Sequence, residues 1–135
     1  EVKTDQSAMN KYTLETFQVN YGTQNITTAT VALNTPEGET VQTAATGNGS
    51  VEALYRTISE LIDYDQKLLD YQINSVGGGK DALAESHVQL AVEGETVNGR
   101  GTAQDVIEAS ANAYINAVNR YILKMQVEKE EVANR

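Results

Sequence analysis

Five residues recur verbatim in this chain: Glu37-Gly38-Glu39-Thr40-Val41 returns as Glu93-Gly94-Glu95-Thr96-Val97. Each copy is followed by a Gly-x-Gly-Ser/Thr stretch, Gly47-Asn48-Gly49-Ser50 in the first and Gly99-Arg100-Gly101-Thr102 in the second. A single pentapeptide can match by accident, but two features matching in the same order point to an internal duplication. The spacer between them is four residues shorter in the second copy, so the halves are related without being identical. The chain must therefore build one small unit twice.

The residue pattern gives that unit a shape. Tyr12 to Asn20 alternates with one slip of register, a strand carrying a bulge. The Thr- and Val-rich run from Ile26 to Leu33 reads as a second strand, Thr35-Pro36-Glu37-Gly38 as a turn, and Thr40 to Ala45 as a third strand. Val51, Leu54, Ile58, Leu61 and Ile62 then recur at helical spacing, which predicts a helix over 50–62. After a polar connector the pattern restarts, with strands at 68–76, 86–92 and 96–97. A long helix, opened by Gly99 to Thr102, is expected to run to about residue 125. The expected fold is α+β, two pseudo-symmetric βββα units packed together, since one unit alone leaves a sheet face bare. The predicted divisions are a linker at 1–11, units at 12–67 and 68–125, and a charged, fraying tail at 126–135. The small residues of the second helix, Ala103, Ala109, Ser110, Ala111, Ala113 and Ala117, either admit a closely packed partner or simply favour helix.

The stretch from Gly47 to Val51 carries the chemistry. Glycines stand where a strand becomes a helix, which lets the backbone turn tightly and lets a ligand approach it. The first helical turn adds unpaired N–H groups and the positive end of the dipole, which suit a carboxylate or phosphate. A small anionic metabolite is expected to dock there; the bland alternative is a turn followed by a helix cap.

Composition removes other classes. A net charge of −9 argues against nucleic acid and against acidic membrane surfaces as partners. There is no cysteine, and the single His87 lies in a strand without Asp or Ser at triad spacing, so a solvent-facing position is expected for it. Gly77-Gly78-Gly79-Lys80-Asp81 fails the phosphate-loop pattern, with Asp81 where Ser or Thr is needed and Ser75 where a glycine is needed. It reads instead as a mobile loop able to close over a ligand. The acidic pairs Glu60/Asp63 and Glu130/Glu131 read as solvated surface. No catalytic or metal-binding residues stand out. The lack of a signal-like start or a transmembrane-length apolar run makes the expected location cytoplasmic, and a start at Glu1 reads as a piece of something longer.

These residues resemble the C-terminal regulatory domain of α-isopropylmalate synthase, the LeuA allosteric and dimerisation domain. The stretches that carry the resemblance are Gly47 to Leu54, Leu69-Asp70-Tyr71-Gln72-Ile73, Gly79-Lys80-Asp81-Ala82, Gly99 to Thr102 with Asp105 to Ser110, and Ala117-Val118-Asn119-Arg120. The resemblance implies a homodimeric leucine sensor of leucine biosynthesis, acting by feedback inhibition on a catalytic TIM barrel in the same polypeptide. That parent would be an acyltransferase using acetyl-CoA and 2-oxoisovalerate with a divalent metal; this domain itself would need no cofactor. The family often has Pro where this chain has Ser50, which keeps its N–H and is able to cap.

The expected effector site follows from charge and shape together with that resemblance. The ligand carboxylate would meet the N–H groups of Gly47, Asn48, Gly49, Ser50 and Val51. Its ammonium would find carbonyls near Ser75 to Gly79 or the carboxylate of Asp81. Its isobutyl group would enter a slot supplied by Val51, Leu68, Tyr71 and Ala82. The resemblance adds Thr102 and Ala103 as first-turn residues closing the pocket. The alternatives are an isoleucine-sensing domain of the citramalate synthase type, a dimerisation module without a ligand, and a free-standing enzyme, for which no nucleophile or metal ligand is in place.

Overall fold

The computed structural model describes residues 11–21, 26–76 and 82–134. It contains the βββα unit twice. In the first, β1 (Thr13–Tyr21), β2 (Thr27–Asn34) and β3 (Thr40–Gly47) form an antiparallel sheet, followed by α1 (Ser50–Leu61). In the second, β4 (Gln66–Val76), β5 (Leu83–Val92) and β6 (Glu95–Ala103) precede α2 (Val106–Ala133). The two sheets keep their chain order, β1-β2-β3 and β4-β5-β6, and each helix packs on the last two strands of its own sheet. The architecture is α+β, as the repeat predicts.

The verbatim repeat marks the same structural place in both halves. Gly38 and Gly94 sit at φ +90° and +81°, left-handed backbone that favours glycine, and each turns the second strand into the third. From that glycine to the first residue of the helix is twelve positions in both units (38 to 50, 94 to 106). The duplication is therefore free of gaps, and the two Gly-x-Gly stretches are not equivalent. Gly47 closes β3 and Gly49 is the N-cap of α1, whereas Gly99 and Gly101 lie inside β6. The expectation that Gly99 to Thr102 opens the second helix is thus corrected. Those residues extend β6 well past Val97, and the helix starts at Val106 behind Asp105.

The glycines of β6 have a packing reason instead. Ala109, Ala113 and Ala117 recur every four residues and are fully buried. A methyl group on Gly101 would stand 2.6 Å from the Ala113 amide nitrogen, and one on Gly99 2.6 Å from that of Ala117. Bare strand and small-residue helix face thus meet backbone to backbone, so the partner that the alanines admit is the sheet of their own unit. Past Ile122 the helix has no buried residue, yet it continues to Ala133, so the region expected to fray is helical through most of its length.

Other boundaries differ by small shifts. The register slip in the first strand is a bulge between Leu14 and Thr16, and β4 carries another between Leu68 and Asp70. β4 begins at Gln66, inside the expected connector, because the Gln66 amide caps the end of α1. Its Nε2 donates to the carbonyls of Ser59 (3.3 Å), Ile62 (3.2 Å) and Tyr64 (2.7 Å). These are carbonyls that a helix end otherwise leaves open. The glycine loop 77–81 and the segment 1–10 lie outside the described residues.

One core serves both halves. Val31, Leu33, Leu54 and Ile58 of the first unit and Leu90, Val92 and Val118 of the second are fully buried in one cluster. Each such side chain contributes about 1.5–3 kcal/mol relative to exposure. The seam between units is also polar. Asn119 exchanges two 2.8 Å hydrogen bonds with the main chain of Tyr12, and Gln66, whose Nε2 caps α1, accepts at Oε1 from the Tyr114 hydroxyl of its own unit at 2.7 Å. The Tyr55 hydroxyl donates to the Ser110 carbonyl at 3.1 Å, and the Tyr55 and Tyr114 rings lie 5.0 Å apart.

Candidate effector site

The two helices begin in the same neighbourhood but are finished differently. At α2 the Asp105 carboxylate accepts from the Ile107 amide at 2.9 Å, an ordinary acidic N-cap. The equivalent position in α1 is Gly49, which has no side chain, and no side chain caps that helix. The Glu52 carboxylate reaches back only to the Asn48 amide, at 3.4 Å. The Ser50 hydroxyl, a possible cap by sequence, donates instead to the Tyr21 hydroxyl at 2.7 Å. Among the described residues, the first-turn amides of α1 at Ser50, Val51 and Glu52 therefore have no protein acceptor. They form the positive end of a helix dipole with its donors open.

Those amides face a groove of about 620 Å³. Asn48 and Gly49 line it from the turn into α1, Ser50 and Val51 from its first turn, Tyr71 from β4, Tyr21 from the end of β1, and Asp105, Val106 and Ile107 from the start of α2. A second groove of about 510 Å³ continues from it and shares Val51, Glu52 and Tyr71. Tyr55, Gln66, Leu68 and Tyr114 line it further in, with the polar Arg56 and Ser59 of α1 on the same groove. The edge of the Tyr71 ring meets Tyr55 at 5.9 Å between centroids. Taking Tyr55 out of water pushes its hydroxyl up to about 12, and burial raises Tyr114 as well, so both stay neutral donors at the base of this wall. The site thus pairs open amide donors with apolar walls, and the acidic Glu52 and Asp105 stand on its rim.

Several residues expected at an effector site come together here and others do not. Asn48, Gly49, Ser50, Val51 and Tyr71 line the larger groove, and Leu68 lines its extension. Gly47 stands just behind, where a Cβ would come 2.5 Å from the Ala53 amide nitrogen, so its role is to let β3 end against α1. Ser75 and Ala82 are exposed at the far end of the β4–β5 pair, and neither lines a groove wall. Asp81 lies outside the described residues. Thr102 and Ala103 are strand residues paired with Glu85 and Ala84, and the place assigned to them is taken by Asp105 to Ile107. The ring of Tyr21 and the carboxylate of Asp105 were missed; counting from the turn glycine to the helix start would have found Asp105. His87 is exposed on β5, as expected, 3.1 Å from Glu85. The Arg100 guanidinium beside Glu85 holds that carboxyl below the usual range. Among the described residues no group of three or more His, Asp or Glu is placed to hold a metal ion, and no helix is long and apolar enough to cross a membrane.

The comparisons with known proteins agree with this architecture. Residues 1–122 match the model of the LeuA allosteric (dimerisation) domain. The chain is 56% identical over 124 residues to a 2-isopropylmalate synthase of Oceanobacillus iheyensis, covering 92% of this chain and 24% of that protein. It is also 56% identical over 113 residues to one of Halalkalibacterium halodurans (84% and 22%), and 54% identical over 123 residues to one of Geobacillus thermodenitrificans (90% and 24%). The chain spans about a quarter of the length of these curated relatives.

Proposed function

Because the chain belongs to the family of LeuA allosteric (dimerisation) domains, we propose that it is the leucine-sensing, homodimeric regulatory part of a 2-isopropylmalate synthase. One observation carries the reading. Where the second unit holds its own carboxylate, Asp105, at the mouth of a helix, the first unit has Gly49 and three open amides facing a groove. The α-carboxylate of leucine takes in the first unit the place that Asp105 takes in the second. Glu52 and Asp105 on the rim attract the ammonium, and the isobutyl group lies against Val51, Leu68 and Tyr71. Both units line the groove, so a bound amino acid favours one way of packing them, and a coupling of about 1–3 kcal/mol is enough to regulate a catalytic barrel elsewhere in the polypeptide.

Calorimetry of the chain with millimolar L-leucine tests this directly. Heat and a raised melting temperature are expected; the absence of both sinks the sensor reading. An apolar slot separates leucine from its isomer isoleucine by only about 1–3 kcal/mol. Competition in one titration therefore identifies the effector, and leucine is expected to win.

A further inference from the structure

Buried hydroxyls in folded proteins nearly always have a hydrogen-bond partner, so one without a partner calls for a reason. Two such groups lie close together in the second unit. Ser86 on β5 and Ser110 on α2 are completely buried, and among the described residues neither Oγ has a partner. Thr57 on α1, just as deeply buried, is satisfied: its hydroxyl reaches the carbonyls of Ala53 and Ala29 at 2.7 and 3.2 Å. What the two open serines share is a neighbour, the hydroxyl of Tyr55. Both oppose the rise that burial imposes on that phenol, an effect that acts only at hydrogen-bonding range.

Tyr55 comes from the other unit. It stands on α1, lines the inner groove, and has the edge of Tyr71 on one side and Tyr114 on the other, at 5.9 and 5.0 Å between centroids. Its hydroxyl donates to the Ser110 carbonyl at 3.1 Å, long for a bond between two oxygens, which usually measures about 2.7–2.8 Å. That carbonyl lies inside α2, where the helical ladder already gives it the Tyr114 amide. Tyr55 is thus a second donor on an acceptor in use, beside two hydroxyls that are not in use. A phenol both donates and accepts, so it is able to serve both serines at once.

We propose that Tyr55 is a two-position relay: its hydroxyl rests on the Ser110 carbonyl while the groove is open and moves to the hydroxyls of Ser86 and Ser110 when the groove is filled. The inference rests on the effector reading above and adds how occupancy changes the packing of the units. A side chain lying against Val51 and Tyr71 presses the edge of Tyr71 onto Tyr55. The shift exchanges one long contact for two bonds and pairs the groups that the open form leaves bare. Because Tyr55 belongs to α1 and its new partners to β5 and α2, the exchange resets how one unit grips the other. Tyr55 is a positioning residue in this scheme, and the serines are what make its second position favourable.

Thermal melts and calorimetry of the chain with and without L-leucine test the proposal, with the tyrosine Cζ resonances of an isotope-labelled sample as the direct readout. In the parent chain the Tyr55 resonance, identified by its loss in Tyr55→Phe, should move when leucine binds. Ser86→Ala removes a hydroxyl that has no partner before leucine binds and gains one afterwards, so the two states respond with opposite signs. Without leucine its melting temperature should equal or exceed the parent's, while its leucine affinity should fall about three- to tenfold. Ser110→Ala should do the same, but it also gains helix propensity, so Ser86→Ala gives the cleaner reading. With both hydroxyls removed the Tyr55 resonance should stay in place on binding. A hydroxyl kept only for the fold would lower the unliganded melting temperature of Ser86→Ala and leave its affinity unchanged. Either of those results, or leucine binding to the parent without movement of the Tyr55 resonance, overturns the relay and leaves the sensor reading standing. A parent chain that binds no leucine overturns both.

Discussion

Replacing Gly49 by Asp copies onto α1 the cap that α2 already has, and the structure gives the two consequences opposite signs. A Cβ at Gly49 meets no atom within 4 Å, and the residue sits at φ −164°, ψ 173°, extended backbone that any residue adopts. The new carboxylate reaches the open amides of the first turn as Asp105 reaches Ile107. An acidic cap improves on glycine by a few tenths of a kcal/mol, and the helix dipole adds about 0.3–1 kcal/mol. The sum, up to about 1 kcal/mol, raises the melting temperature by up to about 5 °C. The same carboxylate occupies the donors assigned to the ligand and repels its acid group. Each charge-assisted hydrogen bond lost costs about 1.5–3 kcal/mol, so leucine affinity should fall at least about tenfold. Thermal melts read the first effect and calorimetry the second. A variant that melts lower, or that binds leucine unchanged, refutes the reasoning. A glycine kept only for the fold would give a lower melting temperature, so the experiment also separates a sensor from a pure dimerisation module.

Two further outcomes are expected. Gly99→Ala drives a methyl group to 2.6 Å from the Ala117 amide nitrogen and 2.7 Å from its Cβ; forcing α2 off β6 should cost about 3 kcal/mol in urea unfolding, and a loss under 1 kcal/mol would contradict the close contact. Burial raises Tyr55 to about 12, and raises Tyr114, from an ordinary 10.0. The folded chain therefore holds these protons more tightly than the unfolded one, so their contribution is complete below pH 10 and lost as pH climbs from 10 towards 12, at about 1.4 kcal/mol per unit for each. Melting temperature should be level up to about pH 9 and fall above 10, and all seven tyrosines ionising near pH 10 in the folded chain would rule this out.

The fold was legible because a turn glycine, a bulge and an apolar period of 3.6 are local properties, and local chemistry decides them. Gly38 and Gly94, the slip near Leu14, and Leu54 with Ile58 all behave as their neighbours in sequence imply. The misreading at Gly99 and Gly101 has an equally definite cause. A glycine that turns the chain and a glycine that makes room for a helix look alike in one dimension, and what distinguishes them is Ala113 and Ala117, which arrive only with tertiary packing. The site was legible in part for the same reason. Asn48 to Val51 announce a helix start locally, whereas Tyr21 reaches the groove through the folding of the first unit, where its hydroxyl meets Ser50, and Asp105 enters only because the two units fold against each other.

The overhang of α2 has a mechanical consequence. Beyond Ile122 the helix runs eleven more residues to Ala133, a stiff arm of roughly 16 Å at 1.5 Å per residue. About two turns before that root, on the buried part of α2, Tyr114 touches Tyr55 and bonds Gln66 on the wall of the groove. A tilt of ten degrees at that root carries the free tip through ~3 Å, by simple leverage on a rod of this length. Motion too small to notice at the groove becomes an atom-sized displacement at the far end.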